Sequence, residues 1–133
     1  MPIVRINLLP SVPANLVNEA RKWQEALEGL IESVQQAVAS VEVLGITPDK
    51  VTVLMPLDLV KKGLGEELIV EILGLYGNPE RKPAVIKQLA SAVADAVEHF
   101  AKEHLPKCRL VEVLQPRLVD PHACSVRTIG EDS

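Results

Sequence analysis

Hydrophobic positions along this chain follow two rhythms, and each rhythm occurs twice. Short runs of β-branched residues and leucine that close at proline or glycine read as strands: residues 3–6 (IVRI), 51–56 (VTVLMP), 69–72 (IVEI) and 111–116 (VEVLQP). Between the first two, Leu16, Ala20, Trp23, Leu27, Leu30, Ile31, Val34, Val38 and Val41 recur at helical spacing. Between the last two, Val85, Leu89, Ala92, Val93, Ala96, Val97 and Phe100 do the same, with Lys87, Ser91, Asp95, Glu98 and Lys102 opposite. Ser11 and Pro13 mark the start of the first helix. Asn78 followed by Pro79 reads as the N-cap and first-turn proline of the second, with Pro83 able to delay its regular part. Gly29 costs about 1 kcal/mol relative to alanine in a helix interior. The apolar stripe keeps its phase through Gly29, which predicts one long helix.

The third run echoes the first and the fourth echoes the second, so one motif is written twice. Residues 1–62 form a first β-α-β unit and residues 66–133 a second with a C-terminal tail. Together they are expected to make one domain over 1–133, because a chain of 133 residues buries one sizeable core. A strand, a helix and a second strand in one sheet make a right-handed crossover with the strands parallel. The predicted fold class is therefore α/β, in two layers of α+β type: tandem β-α-β repeats forming a four-stranded sheet with two helices on one face. The span from Ile3 to Val51 is longer than that from Ile69 to Val111, which puts extra residues in the first helix or its exit. Gly63 and Gly65 let the chain turn back between the units.

Apolar residues fall on both alternations of 51–55 and 69–73, so the sheet face without helices is expected to be buried as well. A closed ring of copies would bury it and leave no sticky surface. Arg5 and Glu71, at matching places in the two units, are predicted to meet across neighbouring strands as a structural ion pair.

Composition narrows the chemistry. Apolar residues make up 47% of the chain, yet Trp23, Tyr76 and Phe100 are its only aromatics, so the core is aliphatic. Acids and bases are interspersed around a formal charge of −4, with no basic stripe, which argues against a nucleic-acid partner. No apolar run approaches the roughly 20 residues that cross a bilayer, and the start lacks the charge pattern of an export signal. The expectation is a cytoplasmic protein without a membrane partner. Cys108 and Cys124 give neither a disulfide framework nor a Cys-x-x-Cys pair. His99 and His104 miss the spacing that puts two ligands on one helix face, and His122 lies in the tail, so no metal or other cofactor is expected.

A proline directly after Met1 opens the first strand, and residues 67–82 (ELIVEILGLYGNPERK) read as strand, glycine turn and helix start. Together with the duplication, these features resemble the tautomerase superfamily over nearly the whole chain. The length is similar to its fused, two-unit members, such as malonate semialdehyde decarboxylase, cis-3-chloroacrylic acid dehalogenase and 5-carboxymethyl-2-hydroxymuconate isomerase. The resemblance implies a homotrimer and a small carbonyl substrate, a 2-oxo acid or an enol. It also implies that Pro2, once Met1 is removed, is the general base or acid. Desolvation disfavours the ammonium form of a buried amine, and a nearby cation pushes the same way. A neutral secondary amine can take a proton from carbon beside a carbonyl and return it elsewhere. A retained methionine would turn that nitrogen into an amide without a basic lone pair.

One part of the family pattern is missing. Fused members commonly hold the substrate carboxylate with arginines in the turn after the first strand of the second unit, where a planar fork matches a carboxylate. This chain has Leu75, Tyr76 and Asn78 there, and Val12 in the corresponding turn of the first unit. Tyr76 and Asn78 remain polar candidates for contact with substrate. Arg117, after the last strand, and Arg127, in the tail, are the arginines best placed to replace the clamp. Arg81 could reach the site from the first helical turn, where a charged residue is more often solvated, and Arg109 sits at the start of the last strand. A different class of function is a non-catalytic trimeric binding or structural protein that keeps the fold without the clamp.

Overall fold

The computed structural model describes residues 2–7, 9, 17–56, 67–106, 108–114, 118–123, 125, 127, 129 and 130. Strand β1 (Ile3–Asn7) is followed by helix α1 (Val17–Ala39), strand β2 (Thr52–Leu54), strand β3 (Glu67–Leu73), helix α2 (Pro83–His104) and strand β4 (Leu110–Leu114). The strands form one sheet in the order β2-β1-β3-β4. Both crossovers are parallel, β1 with β2 and β3 with β4, as the repeat predicts. The two units meet at the centre of the sheet, where β1 and β3 run antiparallel.

The alternation of strand side chains sorts the sheet into two unlike faces. Val4, Ile6, Leu68, Val70 and Ile72 point to one side and are buried there. Leu30, Val34 and Val38 of α1 and Leu89, Val93 and Val97 of α2 close over them in one aliphatic cluster. The rings of Trp23 and Phe100, 5.7 Å apart, join the two helices. On the other side Ile3, Arg5, Asn7, Ile69, Glu71 and Leu73 are half-buried, while Thr52, Leu54, Leu110, Glu112 and Leu114 are exposed. No described helix lies over this second face.

Helix α1 passes unbroken through Gly29, which is exposed, so an added methyl group would meet nothing there. It ends at Ala39; Val41, read as part of the stripe, lies past the end yet is still buried. The extra length of the first crossover lies in the exit. Residues 40–51 contain short 3₁₀ turns at Glu42–Leu44 and Pro48–Lys50, whereas only positions 105–109 separate α2 from β4. Gly45, with φ of 64°, closes the first of these turns in the left-handed region that glycine adopts without strain.

Helix α2 departs from the reading of Asn78 and Pro79 as its start. The first helical residue is Pro83, which lacks a donor that position could not use anyway. Asn78 instead folds a turn of its own, its Oδ1 accepting hydrogen bonds from the backbone N–H groups of Glu80 (2.9 Å) and Arg81 (3.1 Å). Ser11, Val12, Pro13, Leu16, Gly63 and Gly65 lie outside the described residues.

Candidate functional site

Because β1 and β2 run together and β3 runs against them, the start of β1 stands beside the start of β2 and the end of β3. Ile3 is in register with Thr52 on one side and Leu73 on the other. Pro2 sits at this end of the sheet and is buried. Its carbonyl accepts a hydrogen bond from the Thr52 N–H at 3.1 Å, which fixes the residue on the ladder.

Past Leu73, Gly74 takes φ of 77° and redirects the chain. Leu75 is buried and Tyr76 half-buried. Tyr76 bridges in parallel to Val119, with Gly77 N–H donating to the Val119 carbonyl (2.8 Å) and Val119 N–H to that of Leu75 (2.6 Å). The segment after β4 thus extends the sheet at the same end as Pro2. This places Tyr76 at the Pro2 end, as its position in the turn suggests.

The polar candidates divide in two. Asn78 is exposed and its amide oxygen is committed to the turn it builds. Arg81, expected to be solvated, is half-buried. Its Nη1 donates to the Tyr76 carbonyl, and its Nε is buried without a hydrogen-bond partner among the described residues. An Asx turn at Asn78 reverses the chain and carries the residue three positions on back over Tyr76; its one sequence mark, Asn78 followed by Pro79, fits a helix start equally well. Arg109 is exposed and donates to the carbonyls of Pro106 (2.9 Å) and Cys108 (3.4 Å). It precedes Leu110, which is in register with Glu67, so it lies at the far end of the sheet from Pro2. Arg127 is exposed; Arg117 lies outside the described residues.

The predicted pair of Arg5 and Glu71 does form. The two are in register across β1 and β3, with Arg5 Nη1 3.8 Å from Glu71 Oε1. Asn7, which sequence reasoning passed over, holds that same oxygen through Nδ2 at 3.0 Å and also donates to the Ile69 carbonyl at 3.0 Å. The trio occupies the centre of the open face and not the Pro2 end.

Pro2 lines neither of two cavities that described residues form. One, of about 470 Å³, lies between the end of α2 and the start of β4, around Cys108, Lys102 and Arg109. The other, of about 430 Å³, is an open groove at the β2 edge lined by Arg5, Asn7, Leu54, Met55 and Pro56. Among the described residues no group of three His, Cys, Asp or Glu side chains stands close enough to hold a metal ion. No described helix is long and apolar enough to cross a membrane.

No protein-family model matches the chain, and no curated protein matches it in sequence. Solved structures do resemble it. A wild-type fused 4-OT, an asymmetric trimer, superposes with a TM-score of 0.62 at 16% identity, over 93% of this chain and 91% of that one. Macrophage migration inhibitory factor from Toxoplasma gondii gives 0.55 at 17% identity, over 93% and 95%. A malonate semialdehyde decarboxylase inhibited by 3-bromopropiolate gives 0.52 at 16% identity, over 98% and 91%. With a four-stranded mixed sheet, two helices on one face and these neighbours over nearly its whole length, the chain has the fold of the tautomerase superfamily.

Proposed function

We propose that this chain is an isomerase or lyase of the tautomerase kind. It acts on a small carbonyl compound, a 2-oxo acid or an enol, with Pro2 as the proton-transferring group once Met1 is removed. The observation that supports this reading is the burial of Pro2 at the head of β1, anchored through its carbonyl by Thr52. Burial disfavours an ammonium, so a free imino nitrogen there would hold a proton less tightly than in water and, in its neutral form, could accept one from carbon next to a carbonyl. In its protonated form the same nitrogen polarises a carbonyl or delivers a proton, as a decarboxylation or dehalogenation requires. In this reading Tyr76, Asn78, Arg117 and Arg127 contact the substrate. The working form is a cytoplasmic homotrimer of single-domain chains, without a nucleic-acid or membrane partner.

The test is Pro2→Ala, assayed by the enol-to-keto conversion of a simple arylpyruvate after intact-mass measurement has shown loss of Met1. Activity should fall at least a hundredfold, the scale of one proton-transfer group. Full activity in the variant would end the proposed role.

One observation favours a second reading, a non-catalytic trimeric binding or structural protein. Arg81 is folded onto the Tyr76 carbonyl and Arg109 lies at the opposite end of the sheet, so neither restores the missing clamp. NMR titration of the N-terminal amine separates the two readings. A depressed pKa supports catalysis, whereas an ordinary one, with no turnover of 2-oxo acids, supports the inert scaffold.

A further inference from the structure

The duplication lets the two units be matched position by position. Leu30, Val34, Val38 and Val41 of the first helical stripe repeat the spacing of Leu89, Val93, Val97 and Phe100 of the second, and all eight are buried. Ile3 is in register with Thr52 as Ile69 is with Glu112, so Val51 and Val111 correspond in the two outer strand segments. On the same count Gln35 of α1 corresponds to Ala94 of α2.

At this place the units differ. In the first, the Gln35 side chain reaches across to the outer strand, its Nε2 donating to the Val51 carbonyl at 3.1 Å. The long exit after α1 folds into the same region and buries Val41, Leu44 and Val51. In the second, Ala94 has no amide to reach across, the link after α2 is shorter, and Leu105, Cys108 and Val111 stay half-buried. What remains is the cavity of about 470 Å³ between α2 and β4, whose apolar wall includes Ala94, Ala101, Leu105 and Val111. Its volume falls within the range of small-molecule pockets.

Glu98, Lys102 and Arg109 also line the cavity. Lys102 Nζ is matched by Glu98 at 2.8 Å, so the uncompensated charge is that of Arg109. Its Nη1 is engaged by the carbonyls of Pro106 and Cys108, which holds the guanidinium in place while its other donors have no partner among the described residues. The last turn of a helix repels anions; Lys102 within that turn and Arg109 just past it offset the repulsion. An apolar wall thus stands beside one unmatched cation. A cationic ligand would meet Arg109 with like charge, and a pure hydrocarbon would leave its donors empty. We infer that this cavity binds a small carboxylic acid with an apolar body, the hydrocarbon against Ala94, Leu105 and Val111 and the carboxylate on Arg109. The site lies at the far end of the sheet from Pro2, in the half of the repeat that has no chain start, and it requires no chemistry of Pro2.

The test uses the full chain with Cys124→Ser, which leaves Cys108, in the cavity wall, as its one thiol. Alkylation of Cys108 by iodoacetamide is followed with and without hexanoate. Millimolar hexanoate should slow the reaction in a saturable way, whereas hexanamide, which lacks the charge, should not. Arg109→Gln should weaken the protection about tenfold, the scale of a charge-assisted hydrogen bond. Ala94→Gln, which installs the first unit's side chain, should abolish the effect of hexanoate with unchanged circular dichroism. Equal protection by hexanamide, or undiminished protection in Arg109→Gln, would overturn the carboxylate contact and with it the inference. A hexanoate effect that survives Ala94→Gln would place the ligand elsewhere and overturn it as well. If Cys108 is too shielded to react, the methyl NMR signals of Leu105 and Val111 take over the reading. Hexanoate should shift them; unmoved signals would show the cavity closed to the acid, by a neighbouring copy or otherwise, and end the proposal.

Discussion

The two faces of the sheet come from the same strands and obey different physics. On the helix side every strand position of β1 and β3 is aliphatic and dry, with Val4, Ile6 and Val70 at 0% exposure. On the other side the same strands alternate Ile3 and Ile69 with Arg5, Asn7 and Glu71, all half-buried. One face is finished within the chain, whereas the other mixes apolar surface with a hydrogen-bonded polar trio. A strand has one backbone and two environments, so the chain can complete its core on one side and leave a mixed surface on the other.

Ile69 and Ile72, on opposite faces of β3, give the sharpest way to break this contrast. Ile72→Ala should destabilise by about 2–5 kcal/mol, the range for a large-to-small change in a dry core. Ile69→Ala should lose less at high dilution, with a loss that grows with protein concentration, because association stabilises only the folded form. Urea unfolding at two concentrations reads both. Equal losses at every concentration would show that the faces do not differ.

Asn7→Ala probes the polar trio. It leaves the Ile69 carbonyl and the Glu71 carboxylate each short of a donor in a half-buried place, and should cost about 1–2 kcal/mol. Asn7→Asp should be worse, since it sets a second carboxylate against Glu71. A neutral outcome for both in denaturant titrations would mean that the trio adds nothing to the open face.

The smallest effect belongs to the outer surface of α2, where Lys102 Nζ lies 2.8 Å from Glu98 Oε1. The hydrogen bond from Lys102 and then its charge hold the Glu98 carboxyl below the usual range, and the same contact raises Lys102. A depressed folded-state pKa stabilises above the unfolded value, and that gain fades as pH falls through the folded one. A raised value does the reverse, fading as pH climbs through the folded Lys102 value. Thermal midpoints of Glu98→Gln and the parent should therefore differ slightly at neutral pH and converge in acid. A difference that persists in acid would point to a cause other than this ion pair.

Much of the fold was legible because it depends on periods that a linear chain carries openly. The four strands, the unbroken passage through Gly29 and the meeting of Arg5 with Glu71 all follow from spacing and repetition. The start of α2 was misread because Asn78 and Pro79 suit a turn and a helix equally well, and only the fold back over Tyr76 decides between them. Arg81 was misplaced for the same reason, since its burial is produced by that turn and not by its own chemistry. Asn7 was overlooked because its two acceptors lie on a strand more than sixty residues away. The Pro2 end was half legible. Its strand context could be read directly, but the groups around a substrate depend on how distant segments converge.

The antiparallel seam between β1 and β3 has an arithmetic consequence. It sets the two units head against tail, so the counterpart of Pro2 in the second unit, Leu68, falls toward the opposite end of the sheet. Leu68 is bonded through an ordinary amide to Glu67 and is 2% exposed. Two matching ends therefore share one chain terminus. A duplicated protein built this way carries no more than one terminal amine per chain, and stoichiometric labelling of that amine should stop at that ratio.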